Sequence, residues 1–457
     1  VTDDPAESEL PEVHVDVCES GRRARRGCVR LELDRDVTFS TKGLEAYAFA
    51  SWEPVVHDAL IVAAAVEYAD RILRRPSQSW SRRFWVRIPV HDPARWNVGA
   101  VLSSLTDALN FLTFDDWRLE FIQRRQAAPS PRQDYLHLPR PTEAVLAYSD
   151  GMDSRAVAGI ECEKRGDKLV RVRVGSKRWD RPSSNGGREP FTTIPYDVPA
   201  NMNNREASSR SRGFKFALIS GLAAHLTDAP EIVVPESGQG AIGPALMAVG
   251  HAYPDYRNHP LFTARMERFI KALLGRHVRY VFPRIWNTKG ETLREFVSIS
   301  GAGKWESTRS CWRSNRWSSV DGRRRQCGVC AACLLRRMSV HAAGLVERDD
   351  TYVCNDLGAA TLEAGIAPQF TRFTAAFREY ALAGVLHMDH LADMADAESA
   401  PAVRRHAQAL APVIDISVSD AEQRLAALLS HHASEWKGFM ESLGANSFVR
   451  QWARSDR

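Results

Sequence analysis

Apolar and polar positions repeat with two different periods along the chain, and where the period changes the chain divides. Within residues 1–140, Val29 to Leu33 alternates with the two-residue period of a strand, and Val55 to Leu73 carries apolar residues at helical spacing. Phe84–Val90 and Trp117–Ile122 read as further strands and Val98–Leu112 as a helix, which predicts an α+β N-terminal accessory domain. Asp115, Asp116 and Trp117 read as a turn into a strand, with a partner-binding or substrate-gating role as the alternative. The stretch Ala127-Ala128-Pro129-Ser130-Pro131, with Pro139 and Pro141 beyond it, predicts a linker.

Over residues 141–345 short apolar runs alternate with helical patterns. Strands are expected at Ala144–Tyr148, Leu169–Val174, Thr192–Tyr196, Glu231–Pro235 and Arg279–Phe282, and helices at Ser154–Lys164, Gly213–Leu226, Leu261–Leu274 and Gly290–Ser298. That order predicts an α/β domain on a parallel sheet. Ser176 to Pro190, rich in Gly, Ser, Arg and Asp, reads as a loop. Residues 346–457 turn helical throughout, with apolar spacing at Arg372–Ala395, Ala400–Ala411 and Ser419–Leu443. This tail carries no motif and reads as a helical cap or as the surface of a homodimer.

Composition narrows the class. A chain of 457 residues that is 44% hydrophobic and 26% charged has the make-up of a soluble globular protein with two or three cores. Its longest clearly apolar run, Ala59 to Val66, ends at Glu67 and is too short to span a bilayer. The opening Val1-Thr2-Asp3-Asp4-Pro5 is acidic and polar, unlike a signal peptide. The expectation is a cytoplasmic protein without a membrane partner. The net charge of +5 suits phosphate-bearing ligands and does not by itself establish nucleic-acid binding.

The most informative segment is Tyr148-Ser149-Asp150-Gly151-Met152-Asp153-Ser154, between a strand and a helix. Such a turn aims backbone N–H groups and a helix N-terminus at one point, where an anion can sit. No Gly-Lys-Ser/Thr follows, so it is not a Walker A loop. An ordinary Ser/Asp/Gly turn capping a helix is the alternative. Far downstream, Cys311 precedes Cys327-Gly328-Val329-Cys330-Ala331-Ala332-Cys333. Four thiolates at this spacing can hold one tetrahedral Zn²⁺, and with no open position the site would be structural. Arg323, Arg324, Arg325, Arg336 and Arg337 flank it and would favour thiolates. Disulfides or inert thiols are the alternative. Cys18, Cys28, Cys162 and Cys354 read as core residues.

The Ser-x-Gly-x-Asp-Ser turn resembles the PP-loop of ATP pyrophosphatases. With the four cysteines it resembles the QueC family, the 7-cyano-7-deazaguanine synthases. His251-Ala252-Tyr253-Pro254-Asp255-Tyr256-Arg257 is similar to that family's Tyr-Pro-Asp-x-Arg segment, Thr288-Lys289-x-Glu291 to its Thr-Lys-x-Glu helix start, and Ser310-Cys311-Trp312 to its Ser-Cys-Tyr. Two departures stand out. Asp150 occupies a position where the family usually has Gly, and the chain carries extra N- and C-terminal regions. Long QueC-like proteins with such extensions occur in the anti-phage systems called Qat (its QatC protein) and type IV CBASS, and this chain resembles that branch.

The resemblance implies a PP-loop, adenine nucleotide α-hydrolase-like fold, with ATP, Mg²⁺ and a structural zinc. It implies a C–N ligase in which the carboxylate of a 7-carboxy-7-deazaguanine-like acid attacks the α-phosphate of ATP and releases pyrophosphate. An amine, either ammonia or a protein partner, then displaces AMP to give an amide or a conjugate, and with ammonia a second ATP activation dehydrates the amide to a nitrile. The alternatives are a PP-loop enzyme that transfers sulfur to tRNA, and a degenerate domain that only binds a nucleotide or a partner.

Carried onto this sequence, Ser149, Asp150, Gly151, Met152, Asp153, Ser154 and Arg212 would bind ATP, with Asp153 as the Mg²⁺ carboxylate or, alternatively, a helix N-terminal charge. Arg212 has the alternative of a solvated basic turn. Lys289 would neutralise charge on the phosphates and joins Asp153 as a catalytic candidate. Its alternative is an exposed residue inside a Thr288/Glu291 capping box. Glu236, Ser237, Gly238 and Gln239 follow the strand Ile232-Val233-Val234 at an edge where open α/β sheets bind ligands. Glu236 would accept from the guanine-like N1–H, unless the segment is a surface loop. Asp255 and Arg257 would contact the purine or its carboxylate, unless the turn is purely structural. His251 reads as a hydrogen-bonded histidine.

Overall fold

The computed structural model describes residues 10–39, 53–76, 79–127, 141–174, 191–194, 196–198, 206–249, 253–300, 305–313 and 318–453. Along the chain run β1 (Glu12–Cys18), β2 (Val29–Glu32), α1 (Pro54–Ile72), β3 (Arg83–Val90), α2 (Gly99–Thr113), β4 (Asp116–Gln123), β5 (Ala144–Tyr148) and α3 (Met152–Arg165). Then come β6 (Leu169–Val174), β7 (Phe191–Ile194), α4 (Arg212–Thr227), β8 (Glu231–Val233), α5 (Pro260–Leu274), β9 (Arg279–Val281) and α6 (Lys289–Ser300). The C-terminal part is helical: α7 (Ala331–Ala342), α8 (Ala375–Asp393), α9 (Ala400–Ile414), α10 (Val418–Ser442) and α11 (Phe448–Trp452). The expected linker at 127–131 lies almost wholly outside the described residues, as do the Ser176–Pro190 loop and His251.

These elements form two compact units: residues 1–147, 167–233 and 262–281 make one, and 148–166, 234–261 and 282–457 the other. The first unit holds both large sheets. One has the order β2–β1–β3–β4 and is parallel at every pairing. This corrects the expectation of an α+β N-terminal region. Helix α1 intervenes between β2 and β3 and helix α2 between β3 and β4, and such long crossovers return the chain parallel. The second sheet runs β9–β8–β5–β6–β7, with parallel pairings β9–β8, β8–β5 and β6–β7. Val145 pairs with Ile232 in β8, so β5 and β8 leave the sheet at the same edge. Their apolar runs are buried, as strands covered on both faces require.

Helix α1 is buried on every side from Val55 to Asp70, which an all-round apolar helix demands. Its Asp70 meets Arg82 and, through Arg82, Asp115, all fully or almost fully buried. The Asp115 turn is therefore an internal anchor.

In the second unit the helices and the cysteine segment share cores. Met152, Ala156 and Ile160 of α3 pack with Leu293 and Phe296 of α6. The helices approach so closely that a Cβ on Gly159 would lie 2.3 Å from Phe296 Cε2, so only glycine fits. Cys327, Cys330 and Cys333 lie in a core with Phe377, Val385, Trp436 and Phe439 of α8 and α10. Ile285, Leu391, Leu410, Leu425 and Leu428 form another. Among the described residues no helix is long and apolar enough to cross a membrane.

Candidate functional site

The turn after β5 is built as its sequence suggests. Gly151 caps α3 in an extended conformation, and its N–H donates to Ser149 Oγ at 3.2 Å. Ser149 Oγ and Ser154 Oγ lie 2.9 Å apart, so two hydroxyls and a helix N-terminus converge. The Asp150 side chain is exposed, and its carbonyl accepts from the Arg309 N–H at 2.8 Å.

Asp153 lies in the first turn of α3, in the same unit as Ser149 and Ser154. Its carboxylate pairs with Lys289, the first residue of α6. Asp153 is 8% exposed and Lys289 6%. Glu236, three residues beyond β8, completes the group as a second carboxyl beside Asp153 and Lys289. Burial first, then the Asp153 charge, push the Glu236 carboxyl well above the usual carboxylate range, against the pull of Lys289. For Lys289 burial opposes the charge, but Asp153 and Glu236 hold the ammonium above its ordinary value. Asp153 Oδ1 and Ser237 Oγ are buried without a protein partner among the described residues. Asn258 Nδ2 donates to Glu236 Oε2 at 3.0 Å, and a Cβ on Gly240 would meet Glu236 Oε1 at 2.1 Å.

Local chemistry sets Lys289 in place. The capping box forms: Thr288 N–H donates to Glu291 Oε2 at 2.8 Å and Glu291 N–H to Thr288 Oγ1 at 3.0 Å. Yet Lys289 is buried within it, so the box and the inward ammonium coexist where sequence reasoning set them as alternatives. The Lys289 N–H donates to Gln239 Oε1 at 2.8 Å.

The remaining candidates fall elsewhere. Asp255 and Arg257 bind each other, with Arg257 Nη2 2.6 Å and Nε 2.8 Å from Asp255 Oδ2. Gly238 is buried and its N–H donates to the carbonyls of Arg284 and Asn287. Arg212 belongs to the first unit, where it starts α4 with its guanidinium over the Phe216 ring. Sequence reasoning missed Asn258, next to the Asp255-x-Arg257 signal, and Glu435, which carries no local signal at all.

The Sγ atoms of Cys311, Cys327, Cys330 and Cys333 all lie within 4.8 Å of one another. Cys327 and Cys333 are separated by 3.8 Å, far beyond the ~2.05 Å of a disulfide and close to the edge of a tetrahedron with Zn–S bonds of about 2.3 Å. Hydrogen bonds from the other three thiols hold Cys311 below the ordinary thiol range, against the push of burial. The Cys327 N–H donates to Cys311 Sγ at 3.2 Å and the Cys330 N–H to Cys327 Sγ at 3.3 Å. These four can hold a zinc ion. The neighbouring guanidiniums are engaged otherwise: Arg336 with Glu347 and Thr308, Arg337 with the carbonyls of Cys354 and Asn355.

His57, Asp58 and His91 are also close enough to share a metal. There Arg124 donates to His57 Nδ1 at 3.0 Å and Asp58 takes His91 Nδ1 at 2.5 Å, so protein groups already occupy the trio.

A buried carboxylate–ammonium group and a sulfur tetrad thus share one unit. Residues 238–344 match the model of a protein family, "Queuosine biosynthesis protein QueC". The match covers about a quarter of the chain and supports a QueC-like family. It includes Asp255, Arg257, Lys289 and the four cysteines, whereas Ser149–Ser154 and Glu236 lie outside it. Neither the curated proteins nor the solved structures provide a match to the chain.

Proposed function

We propose that this chain is an ATP-dependent C–N ligase of QueC type that activates a 7-carboxy-7-deazaguanine-like acid. The observation that carries the proposal is the meeting of Asp153, Lys289 and Glu236 at the same helix start that brings the Ser149 and Ser154 hydroxyls together, in a unit that also holds the cysteine tetrad. The match over 238–344 supports the substrate class. The nucleotide chemistry is assigned to residues 141–345 as a PP-loop core, with 1–140 as accessory domain and 346–457 as helical region.

The substrate carboxylate attacks the α-phosphate of ATP, the α–β phosphoanhydride breaks, and pyrophosphate leaves with the bond's electron pair. An amine then attacks the acyl-adenylate carbonyl, loses a proton, and expels AMP, giving the amide; a nitrile forms only when a second ATP adenylates the amide oxygen, with release of pyrophosphate, and that oxygen leaves with AMP as two N–H protons are lost. Such chemistry needs positioning and charge neutralisation more than covalent help. Ser149, Gly151 and Ser154 supply hydroxyl and N–H donors to the departing pyrophosphate. Lys289 releases Asp153 and turns its ammonium to the phosphate oxygens. The orphaned Asp153 Oδ1 fits a hard divalent cation such as Mg²⁺, which would screen phosphate charge when bound. Glu236, protonated beside Asp153, is suited to donate to the substrate's carboxylate or accept from its ring N–H after losing that proton. Asp255 and Arg257 stay in the reading as purine contacts, conditional on opening their mutual pair. Zinc in the tetrad would hold the 311–333 segment in shape.

The amine is ammonia or a group on a protein partner, and the anti-phage branch is part of the proposal on account of the two extra regions. A cytoplasmic, reducing setting suits free thiolates. Sulfur transfer is disfavoured, because four of the eight cysteines are gathered in the tetrad and, of the other four, Cys18 and Cys354 are buried and Cys28 and Cys162 only partly exposed. The test is incubation with ATP, Mg²⁺ and 7-carboxy-7-deazaguanine, with and without ammonia or proteins from neighbouring genes, read by mass spectrometry. A nitrile, an amide or a protein adduct is expected, with AMP and pyrophosphate in step. Unchanged acid under every condition would remove the proposal.

A further inference from the structure

We infer that Glu435, on the C-terminal helix α10, is a positioning residue for Lys289, so that the helical tail completes the site. Glu435 Oε1 accepts from Thr288 Oγ1 at 2.5 Å, and Oε2 from Gln239 Nε2 at 3.4 Å. Gln239 is gripped a second time, its Nε2 lying 2.9 Å from His432 Nδ1, one turn earlier on the same helix. His432 is itself fixed by Nε2 against the Met388 carbonyl at 2.9 Å. Held at this end, Gln239 presents Oε1 to the Lys289 N–H at 2.8 Å. The helix N-terminus from which Lys289 reaches Asp153 is thus fixed on both sides by α10, with His431 adding a contact to Glu291 at 2.9 Å. The fit is tight, since a Cβ on Gly290 would lie 2.6 Å from Glu435 Oε1. A glutamate that served only as a helix-surface charge would have no reason to sit half-buried with both oxygens taken by Thr288 and Gln239.

The test measures the reactivity of Lys289 toward acetic anhydride in the full chain, by peptide mass spectrometry. Exposed Lys168 and half-buried, ion-paired Lys215 are internal standards. In the wild type Lys289 should react at least about tenfold more slowly than Lys168. Glu435→Ala should bring it to within a few-fold of Lys168 while Lys215 stays protected. Glu435→Gln, which keeps one acceptor oxygen for Thr288, should raise it only two- to threefold. Unchanged Lys289 protection in both variants, or a parallel rise at Lys215 in both, would overturn the inference. Its catalytic meaning rests on the proposed activity: kcat for pyrophosphate release should fall about tenfold in Glu435→Ala, with KM for ATP within about threefold. If the wild type releases no pyrophosphate, the proposed activity falls, and the labelling still decides where Lys289 is held.

Discussion

The two units each bury a cluster of acids and bases, and the clusters are finished differently. In the first, Asp70 and Asp115 face Arg75 and Arg82, two charges against two. Arg82 reaches Asp70 Oδ1 at 2.6 Å and Asp115 Oδ2 at 2.8 Å, Arg75 binds both oxygens of Asp115 at 2.9 Å, and Ser211 donates twice to Asp70 Oδ2. Every carboxylate oxygen has a donor. In the second, two carboxyls share one ammonium, and Asp153 Oδ1 has no partner among the described residues. A buried ion network that satisfies itself is architecture, whereas one left short of a donor has room for a ligand.

Substitutions can break that contrast. The largest effect should follow Arg82→Met, which leaves two buried carboxylates with one guanidinium; urea unfolding should show a loss of about 3–5 kcal/mol. Lys289→Met should cost less, about 1–3 kcal/mol, because a proton shared between the Asp153 and Glu236 carboxyls can replace part of the lost charge, yet reduce pyrophosphate release about a hundredfold, near 2.7 kcal/mol. Equal losses of stability in the two variants would erase the distinction.

Next comes a pH effect at Glu435. Burial, offset by the Thr288 and Gln239 hydrogen bonds and reinforced by Glu291, lifts its carboxyl from 4.5 to about 7. The folded state therefore holds more protons than the unfolded state between these values. Stability from this group is greatest below pH 4.5, falls as pH rises, and levels off above 7. Discounted for partial exposure, the change is about 2 kcal/mol. Glu435→Gln should flatten that part of the stability curve relative to the wild type. An identical slope in both would mean that Glu435 titrates normally.

The smallest effect is expected at the exposed Asp150. Asp150→Gly should lower KM for ATP a few-fold, below about 1 kcal/mol, by removing a negative charge near the phosphates. A large fall in kcat would instead give Asp150 a role of its own.

What could be read from sequence was local. The cysteine spacing encodes its own geometry, since Cys330 opens a helix and Cys333 lies on its first turn. The boundaries of β5 and β6 follow from apolar runs bounded by turn residues. Strand β1 was missed, because Glu12–Cys18 mixes charges with valines and takes its meaning only from lying between β2 and β3. Asp115 looked like a turn because three distant segments are needed to bury it. The contact of Glu435 with Thr288 joins residues 147 apart, and no period or spacing announces it. Likewise Glu236, Asp153 and Lys289 each follow a local pattern, but only tertiary packing makes them one group.

The contrast between the two clusters is tested most directly by calorimetric titration of ATP with Mg²⁺ into the wild type and Lys289→Met. Saturable binding of roughly micromolar affinity to the wild type, weakened at least about thirtyfold in a variant that urea titration shows to be folded, is the expected result. Equal affinity in both, or no binding to the wild type, would contradict the assignment of the Asp153–Lys289–Glu236 group as a ligand site.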